Sequence, residues 1–250
     1  MSKIKPPKSL LHLAGKAIAD YSMIKANDRI LLGLSGGKDS LSLLHILLHL
    51  QKHAPINFEV GAVTVDPQSE AFDPSPLMPY LKSLNVPYFY QSEPILELAD
   101  KHMENNSFCA FCSRMKRGVI YSTARSHDYN VIALAQHLDD LAESFMMSAF
   151  HGGRLNTMKA NYIIDKGDLR VIRPLVYVRE RQTLDFAERS ELPIIPENCP
   201  ACFDMPTQRF YFKQLLNKEE KSNPNVYKSL LSAMRPLMNK SSASASKLSE

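Results

Sequence analysis

Residues able to hold an anion, a metal and a proton gather in three parts of this sequence. The first is Gly33-Leu34-Ser35-Gly36-Gly37-Lys38-Asp39-Ser40. Gly36 and Gly37 let backbone N–H groups approach a ligand closely, and Ser35, Lys38 and Ser40 add donors. A helix starting there contributes unpaired N–H groups and the positive end of its dipole, completing an anion site. The stretch is not the common P-loop, G-x-x-x-x-G-K-[ST]. Three residues separate Gly33 from Gly37-Lys38, and Asp39 stands where the hydroxyl residue would be. A carboxylate among phosphates repels them unless a cation bridges the two, so Asp39 implies Mg²⁺. Helix capping by Ser35 or Asp39 would require neither the glycine pair nor the lysine.

The second part is a doubled Cys-x-x-Cys, Cys109/Cys112 and Cys199/Cys202. Its spacing allows a four-cysteine zinc site, redox exchange at one pair, or an iron–sulfur cluster held by both pairs or by three of the four thiols. It points strongly to a metal without separating zinc from iron. Redox exchange fits least, because neither pair follows a strand and opens a helix. Lys116 lies four residues after Cys112, on the same face of a helix starting there, within the basic run Arg114-Met115-Lys116-Arg117. The third part is His137-Leu138-Asp139-Asp140. An aspartate there is either a dipole partner at a helix start or a Mg²⁺ ligand or general base near the nucleotide, with His137 beside it.

The surrounding pattern supplies elements to position these groups. Residues 29–32 read as a buried strand and 41–48 as a buried helix, while the β-branched stretch 58–66 is a second strand. Ligands of doubly wound sheets bind beyond the carboxyl ends of the strands, so Thr64, Val65 and Asp66 are placed to hold a nucleoside. A third strand over 86–90 belongs near an edge because of Pro87. A fourth over 131–135 leads to His137, with helices expected over 75–84, 94–105 and 119–126. Strands alternating with helices indicate an α/β fold, a doubly wound parallel sheet. An amphipathic helix over 9–24 covers one side. Beyond residue 152 the pattern predicts a small hairpin around Lys166-Gly167-Asp168, then helices over 179–190, 209–216 and 227–237.

Composition narrows the class. With 250 residues and a hydrophobic share of 44%, a full core forms without disulfides. No apolar run is long enough for a transmembrane helix, and the N-terminus lacks a signal-peptide core, so the expected location is cytoplasmic with no membrane partner. A net charge of +4 permits a nucleic-acid partner without demanding one.

Taken together the motifs carry a resemblance. Ser35-Gly36-Gly37-Lys38-Asp39-Ser40 matches the PP-loop of the ATP pyrophosphatase superfamily. With the first cysteine pair, the His137 segment, Gly152-Gly153-Arg154-Leu155, Val171-Ile172-Arg173-Pro174-Leu175 and Pro193-Ile194-Ile195-Pro196 in the same order, residues 10–215 resemble the tRNA 2-thiocytidine synthetases. The resemblance implies an adenine nucleotide alpha hydrolase-like fold with a small C-terminal extension. It divides the chain into an N-terminal helix over 1–28, a nucleotide-binding domain over 29–150, a part over 151–238 that completes the metal and tRNA site, and a disordered tail over 239–250. It implies ATP-dependent adenylation of C2 of an anticodon-loop cytidine, then displacement of AMP by sulfur, with Mg²⁺ and a [4Fe–4S] cluster. Cys109 and Cys112 carry over as cluster ligands, and Cys199, first of its pair, is preferred to Cys202 as the third. Lys116 and Asp140 fall at catalytic positions, and Asp39 at the metal and phosphate position. The chain departs from the family at Ala135-Gln136-His137, where a glycine and two histidines are usual. The implied partners are tRNA and a sulfur donor such as a cysteine desulfurase or free sulfide, and a homodimer is compatible. Arg114, Arg117, Arg154, Lys159, Arg173, Arg179 and Arg181 are candidate phosphate contacts. The competing readings are a 2-thiouridine synthetase, a PP-loop ligase acting on a small molecule, and a non-catalytic ATP- and zinc-binding regulator.

Overall fold

Three consecutive apolar residues, Ile30, Leu31 and Leu32, are completely buried in β1 (Arg29–Gly33), which therefore needs cover on both faces. Alternation supplies it. Ile30 and Leu32 join one apolar cluster and Leu31 joins another across the sheet. The structure, a computed structural model, describes residues 4–69, 72–102, 108–164, 166–195 and 207–239, with the backbone alone for 100–102 and 108–110. Cys199, Cys202 and the tail from 240 lie outside the described residues.

β2 (Glu59–Asp66) and β4 (Val131–Ala133) pair in parallel with β1 on either side. β3 (Tyr88–Ser92) adds to β2 and forms one edge, as Pro87 requires. β6 (Arg170–Ile172) adds in parallel to β4, and β5 (Asn161–Ile163) closes the other edge antiparallel to β6. The order is β3-β2-β1-β4-β6-β5, and the sheet continues past residue 150 through the predicted hairpin. That hairpin turns at Gly167, φ +77°. Its strands pair from Asn161 opposite Ile172 to Ile163 opposite Arg170.

α1 (Lys8–Asp20), α2 (Lys38–His53), α3 (Leu77–Ser83), α6 (Leu138–Gly152) and α7 (Glu180–Arg189) bury their apolar stripes in the cluster on the Ile30 face. α4 (Ile95–His102) and α5 (Phe108–Ser126) cover the Leu31 face through Ile95, Ile120 and Ala124. α8 (Gln208–Ser222) and α9 (Val226–Met238) pack against α6, with Leu216, Met234 and Met238 in the larger cluster. Among the described residues no helix is long and apolar enough to cross a membrane. The turn leaving β1 and the loop leaving the adjacent β4 both lie beyond the carboxyl ends of these parallel strands, where a crevice opens.

One backbone approach is very close. A Cβ at Gly61 would sit 2.2 Å from the Tyr129 hydroxyl oxygen. Gly61→Ala should therefore destabilise the fold by about 1–3 kcal/mol, read as a lower urea midpoint. A variant as stable as the native protein would show that Tyr129 moves aside freely.

Candidate active site

The glycine turn sits in the crevice between β1 and β4. Leu34 N–H donates to the Val63 carbonyl at 2.8 Å, carrying the ladder one residue past β1. Gly36 then takes φ +86°, open to glycine at little cost. Its carbonyl accepts from Ile195 N–H at 3.0 Å, and a Cβ there would lie 2.6 Å from Ile195 Cδ1. Ser40 Oγ donates to the Gly37 carbonyl at 3.0 Å, and Gly37 N–H donates to Ser35 Oγ at 3.3 Å. Gly37 is the N-cap of α2 and no side chain caps that end. The first N–H groups of α2 therefore remain available to an anion.

A cavity of about 1290 Å³ opens above this turn. Val63 and Val65 of β2 form its floor, and Ser113, Lys116 and Arg117 of α5 form one wall. His137, Asp140 and Glu143 enter from α6, and Glu180, Arg209 and Lys213 close the opposite side. The volume exceeds the range typical of a pocket for one small ligand.

The charges inside are paired in a chain. Lys38 Nζ lies 2.9 Å from Asp39 Oδ2 and 3.1 Å from Glu180 Oε1, and Lys213 Nζ lies 2.7 Å from Glu180 Oε2. Burial disfavours the Lys38 charge, but Asp39 and Glu180 outweigh it and raise its pKa. Burial likewise works against Glu180, yet hydrogen bonds and charge from Lys213 and Lys38 pull it down to about 2. The Thr183 hydroxyl donates to Asp39 Oδ1, fixing that carboxylate from α7. His137 caps α6: its Nδ1 accepts from Asp140 N–H at 3.3 Å, and Asp140 Oδ2 accepts from His137 N–H at 3.0 Å. The other imidazole nitrogen faces Asp39 Oδ2 at 3.7 Å.

Glu143 lies one turn further along α6 and is almost completely buried. Burial, reinforced by the Asp140 charge, pushes it up to about 7. A carboxyl with a higher pKa folded than unfolded holds its extra proton in the folded state. Its contribution is complete below the ordinary value of 4.5 and is lost as pH rises through about 7. Glu143→Gln should abolish that loss, which is on the order of 3 kcal/mol. Urea unfolding at a series of pH values checks this, and an unchanged slope would show that Glu143 is ionised throughout.

The profile of the family described as the PP-loop domain matches residues 9–198. A tRNA-cytidine(32) 2-sulfurtransferase of Geobacter sulfurreducens is 38% identical over 91% of this chain and 89% of its own length. One from Aliivibrio salmonicida is 40% identical over 92% of this chain and 75% of its own length. The chain belongs to the PP-loop domain family, in the branch of the tRNA-cytidine(32) 2-sulfurtransferases. Among solved structures, the U34-tRNA thiolase NcsA of Methanococcus maripaludis with its [4Fe-4S] cluster shares the fold, at TM-score 0.75 and 22% identity, over 94% of this chain and 79% of that one. These likenesses agree with the doubly wound α/β sheet and the PP-loop read from the motifs.

Against this PP-loop frame the predicted site residues can be placed. Ser35, Gly37, Lys38, Asp39 and Ser40 line the cavity together with Lys116, His137 and Asp140. Gly36 stands behind them, pressed against Ile195. Of the 64–66 stretch, Val65 alone reaches the cavity, a correction to the expectation for its two neighbours. Strand alternation turns Thr64 to the other face, where its hydroxyl donates to the Leu34 carbonyl at 2.7 Å. Asp66 is occupied by the Tyr90 hydroxyl and by Gln68 N–H at 2.7 Å. Cys109 and Cys112 both lie on α5. Cys112 is half-buried beside Ser113 of the cavity wall, whereas the Cys109 side chain is outside the described set.

Two expected phosphate contacts are otherwise engaged. Arg179 forks onto Glu220 at 2.6 and 2.9 Å, reaches Asp139 at 3.1 Å and lies 3.3 Å from the Tyr227 ring centre. Arg173 is buried, and its Nε donates to Gln136 Oε1 at 2.8 Å. The Gln136 carboxamide oxygen thus orients Arg173 at the cavity wall. Sequence reasoning missed Glu143, Glu180, Thr183, Arg209 and Lys213. Glu143 carried a legible signal, a carboxylate three residues past Asp140 on the same helical face.

Proposed function

We propose that this protein is an ATP-dependent tRNA sulfurtransferase that adenylates C2 of an anticodon-loop cytidine and then replaces that oxygen with sulfur. The observation carrying this reading is the single cavity in which the glycine turn faces Lys116 of the cysteine-bearing helix and Asp140 of α6. The sulfurtransferase names of its relatives point the same way.

The turn binds the triphosphate of ATP through the free N–H groups of α2, Lys38, Ser35 and Ser40. Asp39, held by Thr183, is the carboxylate that would hold Mg²⁺ against the phosphates. The cytidine C2 oxygen attacks the α-phosphorus: a P–O bond forms, the bond to the β-phosphate oxygen breaks, and pyrophosphate leaves. Donors fixed before the reaction stabilise charge on that leaving group. Sulfur then bonds to C2 as the C–O bond breaks and AMP departs. Lys116 and Asp140 face the space where the base must lie, and they hold and move the protons of these two exchanges.

Thiolates are the ligands an iron–sulfur cluster takes, and Cys109, Cys112 and Cys199 would hold a [4Fe–4S] cluster by three irons. When bound, it would supply an open iron for sulfide, taken up free or released when a thiol reduces the persulfide that a cysteine desulfurase carries. A cytoplasmic location is part of this reading, and a homodimer is compatible with it. Mass spectrometry of tRNA nucleosides from cells lacking the gene tests it. Loss of 2-thiocytidine is expected, and an unchanged nucleoside profile would overturn it. Cleavage of ATP to pyrophosphate independent of added tRNA would instead favour a small-molecule ligase.

A further inference from the structure

Beside the mouth of the cavity, α6 and α8 present an apolar surface that this chemistry does not use. Phe150 near the end of α6 is 63% exposed, and Phe210 and Tyr211 in the first turn of α8 are 48% and 54% exposed. Phe150 and Tyr211 pack on the fully buried Phe212, whose ring meets Phe150 edge-on at 5.4 Å and Tyr211 at 5.2 Å. The three exposed rings line a groove of about 600 Å³, distinct from the main cavity. Phe210 lines both, so the groove and the cavity adjoin at that residue. Arg209 adjoins that ring inside the cavity, with its side chain 49% exposed, and Arg154 is exposed just past the end of α6.

Three solvent-facing rings on a rigid base, flanked by arginines, are the composition of a surface for unpaired nucleic acid. Every base has a face that stacks on an aromatic ring, and the guanidinium groups meet its phosphates. Protein interfaces are enriched in the same residue types, so what singles out RNA is that the platform shares Phe210 with the cavity that takes the nucleotide. The shared wall at Phe210 supplies the geometry. A base that enters the cavity leaves its neighbours in the strand at the rim, where the groove begins.

We propose that Phe150, Phe210 and Tyr211 form a stacking platform for the unpaired bases that flank the nucleotide delivered into the cavity. This inference rests on RNA being the substrate, as proposed above. The protein contains no tryptophan, so Tyr211→Trp installs a lone indole on the platform. An RNA stem–loop with a seven-base unpaired loop (about the size of an anticodon loop) should quench its emission, and a fully paired RNA of equal length should not.

The double variant Phe150→Leu/Tyr211→Leu keeps apolar bulk and removes the rings. It should bind the stem–loop at least about tenfold more weakly, with unchanged ATP binding and thermal midpoint. Native affinity in the leucine variant, or an indole blind to the stem–loop, would overturn the platform while leaving the sulfurtransferase reading intact. Emission that changes with protein concentration without RNA would reassign the face to self-association and overturn it too. If the native protein binds no stem–loop at all, the sulfurtransferase reading fails and takes the platform with it.

Discussion

Lys38→Ala should lower tRNA-dependent release of pyrophosphate by at least about 100-fold, the usual effect of removing one preorganised donor from a developing negative charge. The structure gives the change a second consequence. Lys38 stands between Asp39 and Glu180, so its removal leaves two carboxylates facing the place of the incoming phosphates. ATP affinity should fall along with the rate. Glu180 also loses one of the cations that hold it at about 2. The stability from its depressed pKa is complete above the ordinary 4.5 and is lost as pH falls toward 2, so without Lys38 that loss should be smaller and should finish at a higher pH. The coupled release assay and acid unfolding read the two effects separately. Native turnover in the variant would remove the glycine turn from the mechanism.

Gly36→Val should abolish measurable ATP binding. The position requires a left-handed φ that a β-branched residue resists. It also places any Cβ inside the Ile195 side chain. Gly36→Ala should weaken ATP binding at least about tenfold by the same two causes. Adding Ile195→Ala separates them: truncating Ile195 removes the two closest contacts, leaving its Cβ at 3.1 Å and the dihedral strain, so rescue should be partial. Calorimetric titration with ATP measures all three variants. Full rescue would show that contact alone matters, and native binding by Gly36→Ala would show that the turn tolerates a side chain.

Local pattern carried most of this fold. An apolar triplet, a glycine pair and a long apolar helix made β1, the turn and α2 legible, because each depends on neighbours in the chain. Pro87 foretold the edge position of β3 for the same reason. What failed was finer. Thr64 and Asp66 lay on the right strand, but which alternate face meets the cavity depends on β1 and β2 pairing in register, Leu32 opposite Ala62. Glu180 and Lys213 were invisible because an exposed-looking glutamate on α7 acquires meaning only when α2 and α8 bring lysines to it. The surroundings of Arg173 and Arg179 were illegible for a related reason: their partners Gln136 and Glu220 arrive from distant segments. The aromatic groove escaped notice because Phe150 and Phe210–Tyr211 belong to helices that meet only after the sheet is assembled.

The bond from Ile195 N–H to the Gly36 carbonyl also bears on how the molecule is made. The ribosome releases the glycine turn early and Ile195 only after most of the chain has emerged. β1 and β2 can pair long before then, but the turn stays unlatched until the segment after α7 arrives. A nascent chain stalled short of Ile195 would carry a formed sheet and an open turn, so nucleotide capture becomes one of the last abilities this polypeptide acquires.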